Sequence, residues 1–94
     1  MPEVLGAEAI DAALADRSIA WARQGDELVK VVKRRGFAGA LAFVNQVGEL
    51  AEAADHHPDI DIRWDTVTLR LSTHSAGGLT ENDLALAGQI DAIG

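Results

Sequence analysis

The segment FAGALAFVNQVGELAEAA, residues 37–54, decides the fold. Its apolar residues recur at spacings of three and four, which is typical of an amphipathic helix. They are Phe37, Ala40, Leu41, Val44, Val47, Gly48 and Ala51, with Phe43, Leu50 and Ala54 widening the stripe. We expect the helix to end by His57, because Pro58 disfavours helical backbone at the residue before it. So wide an apolar face indicates a core helix or a helix that also contacts a partner.

A β-hairpin is predicted on each side of this helix. Before it, residues 19–23 and 27–33 are predicted strands around a turn at 24–26. After it, apolar residues alternate over 60–64, and over 67–71 the alternation continues with its phase shifted by one. A strand cannot change face without a break, so residues 64–66 should hold a tight turn or bulge.

Two further helices complete the predicted architecture. Residues 4–15 have helical spacing, and Thr80 with Asp83 resembles a capping box before a last helix. The buried stripe of that last helix is expected to be Leu84, Ala87, Ile90 and Ile93. The order α-β-β-α-β-β-α predicts the α+β class, with a four-stranded antiparallel sheet and three helices packed on one face. We expect residues 1–94 to form a single domain.

The composition narrows the class of function. The chain has 94 residues, a net charge of −7 and no cysteine. The acidic balance argues against a nucleic-acid partner, and the lack of cysteine excludes disulfides and cysteine-ligated zinc. No apolar run approaches the length of a membrane span and no secretory signal is seen, so we expect a cytoplasmic protein without a membrane partner. The one basic cluster, Lys30 and residues 33–35, is interpreted as a charged strand edge that discourages aggregation.

The three histidines, His56, His57 and His74, are the candidate catalytic residues. Histidine both gives and takes a proton near neutral pH. Glu52 lies one helical turn before His56, so its carboxylate is predicted to meet that imidazole and orient it. His74 follows two hydroxyl residues at a strand end. If the loop after the long helix lies beside that end, all these groups line one pocket.

Simpler interpretations of the same residues stay open. A His-His pair in a loop is often only solvent-exposed. Zinc binding is disfavoured, because adjacent histidines seldom share one metal and no His-Glu-x-x-His spacing occurs. Ser72 or Thr73 as a nucleophile lacks the surrounding sequence of a nucleophile elbow. Asp83 is interpreted as a helix cap rather than an acid catalyst.

The histidine motif belongs to a longer pattern that resembles the pterin-4a-carbinolamine dehydratase family. It runs Glu52-x-x-Asp55-His56-His57-Pro58, then five residues to Trp64, nine to His74, and on through Gly78-Leu79 to Asp83. The run Leu71-Ser72-Thr73-His74 and the long helix centred on Phe43 are also similar to that family. The likeness covers nearly the whole chain. This sequence departs from the family's pattern only outside the histidine motif, at Trp64 and at Ser75-Ala76-Gly77.

The resemblance implies a lyase that dehydrates 4a-hydroxytetrahydropterin to quinoid dihydropterin, with no metal, no cofactor and no covalent intermediate. It implies His56, His57 and His74 as the acid–base groups. His57 and His74 would lie closest to C4a and N5, with His56 serving the opposite stereoisomer. Glu52 would orient His56. The substrate-binding residues it implies are Glu52, Asp55, Pro58, Ser72, Thr73 and Ser75.

The resemblance also implies partners. Members of the family form dimers or tetramers and recycle the cofactor of aromatic amino acid hydroxylases. Animal members also bind a homeodomain transcription factor, a role that nothing in this sequence supports. The first alternative to a dehydratase is a non-catalytic dimerisation or assembly module of the same fold, and the second is a pterin-binding protein without turnover. Such a module has no need of three histidines together with Glu52.

Overall fold

The two hairpins join into one antiparallel sheet in the computed structural model, which describes residues 3–93. The strands are β1 (Ala22–Gln24), β2 (Glu27–Lys33), β3 (Asp59–Arg63) and β4 (Thr66–Leu71). Their order across the sheet is β1-β2-β4-β3. The strands β2 and β4 are therefore interior, and β1 and β3 are the edges.

Three helices complete the described part of the chain, and the predicted order α-β-β-α-β-β-α and fold class are confirmed. They are α1 (Ala7–Asp16), α2 (Gly36–Ala54) and α3 (Glu81–Asp91). The first strand is shorter than predicted, because Ile19 and Trp21 are buried in the core without joining the sheet. Their apolar character reflects burial and not strand pairing.

The predicted break in the second hairpin is confirmed. The strands β3 and β4 are joined by a two-residue turn, and Trp64 in that turn has a φ of 58°, in the left-handed region. The register pairs Ile60 with Leu69 and Ile62 with Val67. Residues directly opposite one another point to the same face, so the phase shift in the sequence places both strands' apolar residues on one side.

The helices cover that same side of the sheet. Lys30 lies on the same face of β2 as the core residues Leu28 and Val32, and it forms an ion pair of 2.8 Å with Asp91 at the end of α3. On the other side Val31 is 63% exposed. The core between sheet and helices includes Ile10, Leu28, Phe43, Val47, Val67, Leu69, Leu71, Leu84 and Ile90.

The interpretation of the basic cluster as a strand edge is wrong. Lys30 and Lys33 belong to β2, which is hydrogen-bonded on both sides. Lys30 contacts Asp91, while the guanidinium of Arg34 lies 4.5 Å from the ring centre of Phe43. Lys30 and Arg34 therefore connect the sheet to α3 and α2, and β2 is not an edge strand.

Candidate functional site

The long helix ends just before the paired histidines, as predicted. Asp55 adopts a left-handed conformation (φ 50°, ψ 43°) after the last helical residue. The backbone N–H of His56 donates to the carbonyl of Ala51 at 3.1 Å. The backbone N–H of Asp55 donates to the backbone carbonyl of Glu52 at 3.2 Å. This is the Schellman type of helix end, and it turns the chain sharply. His56 and His57 consequently leave the helix in different directions.

His56 points inward and contacts a carboxylate on another element. Its Nε2 lies 2.5 Å from Oδ1 of Asp83, which has no exposed surface, and only 12% of the His56 side chain is exposed. Asp83 lies in the first turn of α3 and closes the predicted capping box with Thr80. The cap is predicted from the sequence, whereas the contact of Asp83 with His56 is not.

Asp83 is the centre of a buried hydrogen-bond network. Its Oδ2 accepts from the Thr73 hydroxyl at 2.7 Å and from the Thr80 backbone N–H at 2.9 Å. The hydroxyls of Thr73 and Thr80 are 2.9 Å apart. Thr73 is 5% exposed and Thr80 is fully buried. Because buried polar groups are costly unless paired, the carboxylate and both threonines hold each other in place.

The predicted pair between Glu52 and His56 is not formed. Glu52 instead contacts Nε2 of His57, and both side chains are exposed. The spacing of four residues brings side chains together only while the helix continues. The left-handed turn at Asp55 directs His56 toward α3 and leaves His57 beside Glu52.

His74 begins a tight turn beside this network. The turn is closed by a bridge between Thr73 and Gly78, and the N–H of Gly77 donates to the carbonyls of Thr73 and His74 at 3.0 and 3.1 Å. The His74 side chain is exposed. Thr73 therefore connects the His74 turn to the carboxylate that contacts His56.

The other predicted binding residues lie around these two segments. Asp55 and Ser75 are exposed, and Pro58 and Ser72 are half-buried. Among residues 3–93, the side chains of Asp55, Ser72 and Ser75 form no hydrogen bond. Glu52 also lines an open groove of about 780 Å³ between α2 and the edge strand β3. Its other lining residues are Val44, Asn45, Gly48, Glu49 and Ile60.

Among residues 3–93, no group of three or more histidine, cysteine, aspartate or glutamate side chains could hold a metal ion. No helix in that range is long and apolar enough to span a membrane.

The fold and these contacts define a class of protein: a small α+β domain in which two imidazoles each contact a carboxylate. A carboxylate on one ring nitrogen fixes the ring's orientation and leaves the other nitrogen to exchange protons. Such an arrangement suits acid–base chemistry.

The chain belongs to the pterin 4 alpha carbinolamine dehydratase family, whose model matches residues 3–93. A relative from Nocardia farcinica (strain IFM 10152) is 55% identical over 97% of this chain and 95% of its own. One from Roseiflexus castenholzii (strain DSM 13941 / HLO8) is 62% identical over 78% of each chain. Both are provisionally named pterin-4-alpha-carbinolamine dehydratases.

Two solved structures resemble this fold. A crystal structure described as a transcriptional coactivator/pterin dehydratase from Brucella melitensis is 30% identical and has a TM-score of 0.88, covering 97% of this chain and 98% of that one. A pterin dehydratase-like protein, described as a RuBisCO assembly factor in the alpha-carboxysome, is 26% identical with a TM-score of 0.67. That match covers 82% of this chain and 92% of the other.

Proposed function

We propose that this protein dehydrates 4a-hydroxytetrahydropterin to quinoid dihydropterin and water. The main support for this proposal is the pair of imidazole–carboxylate contacts, His56 with Asp83 and His57 with Glu52, in a chain of this family. The exposed His74 lies one residue from the network that holds Asp83.

The reaction needs one proton donor and one proton acceptor. A proton delivered to the C4a hydroxyl lets the C4a–O bond break with its electron pair, and water leaves. The lone pair of N5 forms the new C4a–N5 double bond, and the N5 proton passes to a base. The donor loses one proton and the acceptor gains one, so two imidazoles suffice.

We assign these proton transfers to the three histidines. His57 and His74 are exposed and are proposed to act at C4a and N5, while His56 serves the opposite stereoisomer. Glu52 is proposed to orient His57, which it contacts. The proposed pterin contacts come from the surrounding segments and involve Glu52, Asp55, Pro58, Ser72 and Ser75.

The test is a decay measurement. An aromatic amino acid hydroxylase generates 4a-hydroxytetrahydropterin, and its decay is followed by absorbance with and without this protein. We expect faster decay with the protein, and about 10²–10⁴-fold lower activity in His57→Ala or His74→Ala. Gln24→Ala, at the far turn of the first hairpin, is the control and should match wild type. Decay at the uncatalysed rate with saturating protein would reject the activity.

A non-catalytic assembly module is the second candidate. It is favoured by the structural neighbour described as a RuBisCO assembly factor. The same decay assay separates the two candidates, because an assembly module would leave the carbinolamine to decay at its own rate.

We also propose a functional link to an aromatic amino acid hydroxylase and a homodimeric or homotetrameric assembly. Phe37 and Leu41 on α2 are 46% and 40% exposed, and β3 leaves one edge unpaired within residues 3–93. Exposed apolar residues and open strand edges are commonly covered by a second copy. Light scattering should then show a dimer or tetramer, which Leu41→Lys weakens. A monomer at high concentration would contradict this assembly.

A further inference from the structure

The buried network below His56 contains more groups than a helix cap needs. A capping box requires the Thr80 side chain and Asp83. Here the Thr73 hydroxyl, from the turn after β4, also donates to Asp83 Oδ2 at 2.7 Å. Thr73 has one hydroxyl proton, so the contact with Thr80 at 2.9 Å must be donated by the Thr80 hydroxyl.

These donors determine the direction of the remaining hydrogen bond. Asp83 Oδ2 accepts from the Thr73 hydroxyl and from the Thr80 N–H. A carboxylate only accepts hydrogen bonds, and the N-terminus of α3 favours negative charge. Oδ1 is therefore an acceptor too, and His56 must donate to it from Nε2.

The other ring nitrogen of His56 is then the one left to act. Nδ1 has no hydrogen-bonding partner among residues 3–93, and no buried side-chain nitrogen or oxygen in that range lacks a partner. Nδ1 therefore retains some exposed surface, on a side chain of which only 12% is exposed. In that position it is accessible to a ligand.

We propose that Thr73 is a positioning residue, which acts through Asp83 to keep the proton of His56 on Nε2 and present Nδ1 to the substrate. This role rests on the proposed dehydration for its catalytic consequence, while the tautomer is a property of the free protein. It replaces direct substrate binding as the proposed role of the Thr73 hydroxyl, because that hydroxyl is buried and already donates to Asp83.

The first test needs no variant in the network. Long-range proton–nitrogen NMR spectra of the free protein, above the pH at which the imidazoles are cationic, show which ring nitrogen carries the proton. His57→Gln and His74→Gln assign the signals, since the chain has three histidines. We expect His56 to be protonated on Nε2. Protonation on Nδ1 would overturn the inference whether or not the protein is a dehydratase.

The second test separates positioning from stability. In Thr73→Val the Asp83 carboxylate loses a donor that holds its orientation, so Oδ1 can turn away from Nε2 of His56. We expect mixed tautomers of His56 and about 10-fold lower kcat toward the stereoisomer that His56 serves, with little change in KM. Thr73→Ser keeps the hydroxyl and should restore both. Thr68→Val makes the same change within β4, on the face away from the core, and should alter neither. A wild-type tautomer and kcat in folded Thr73→Val would overturn the role. If the wild type shows no dehydratase activity and Thr73→Val still alters the tautomer of His56, the proposed function is rejected and the positioning role of Thr73 stands.

Discussion

Replacing Asp83 separates its contribution to folding from its contribution to the site. Asp83 accepts three hydrogen bonds, and two of the donors, the Thr73 hydroxyl and the Thr80 N–H, are buried. Each buried donor left unpaired costs about 1–3 kcal/mol. Asp83→Ala is therefore expected to lower the free energy of unfolding by about 2–6 kcal/mol, a large share of a small domain's stability.

Asp83→Asn should behave differently. The amide oxygen can still accept from Thr73 and Thr80. The amide nitrogen then faces Nε2 of His56 and donates to it, so the ring proton must move to Nδ1. We expect this variant to lose only about 1 kcal/mol of stability, because neutral hydrogen bonds replace charge-assisted ones. Its imidazole tautomer should nevertheless be reversed.

Urea denaturation and NMR together measure both effects. With a slope of about 1–2 kcal/mol per molar urea, Asp83→Ala should move the midpoint down by at least about 1 M. Asp59→Ala, an exposed aspartate on β3, is the control and should move it little. An Asp83→Ala midpoint close to wild type would refute the network. An Asp83→Asn protein that keeps the proton on Nε2 would refute the assignment of donors.

Three further predictions concern other parts of the fold. Arg17 lowers the pKa of Glu81 from its usual 4.5, so the contribution of this pair to stability is present above that pH and is lost as pH falls through the lowered pKa. Arg17→Met should therefore lower Tm more at pH 7 than in acid. An equal loss at both would contradict the pairing. A Cβ at Gly48, inside α2, would meet nothing within 4 Å. Gly48→Ala should therefore raise the free energy of unfolding, measured in urea, by about 0.5–1 kcal/mol. A lower free energy of unfolding would show that the groove between α2 and β3 has no room for the methyl group. The side chain of Trp64 is 70% exposed, and its backbone has a positive φ. Trp64→Gly should therefore raise the free energy of unfolding by about 1 kcal/mol, while Trp64→Phe should not. A loss of stability in Trp64→Gly would mean that the indole packs against the rest of the fold.

The sequence predicted those features that depend on neighbouring residues. The helical spacing of residues 37–54 gave α2, and the phase shift near Trp64 located the turn between β3 and β4. The capping box at Thr80 was predicted because its two partners lie three residues apart. Each of these follows from local geometry alone.

The sequence did not predict the contacts of the histidines, because these depend on one backbone angle and on distant packing. The spacing of four residues indicates that Glu52 contacts His56. Glu52 contacts His57 instead, because Asp55 adopts the left-handed conformation. The contact of His56 with Asp83 joins residues 27 positions apart. Strand order likewise could not be inferred from two hairpins, so the interior position of Lys30 was missed.

The most direct test compares the rate at which 4a-hydroxytetrahydropterin decays in the presence of two proteins. One is the wild type, and the other has all three histidines replaced by glutamine. We expect accelerated decay with the wild type and the uncatalysed rate with a folded triple variant. Equal rates with the two proteins, fast or slow, would contradict this expectation.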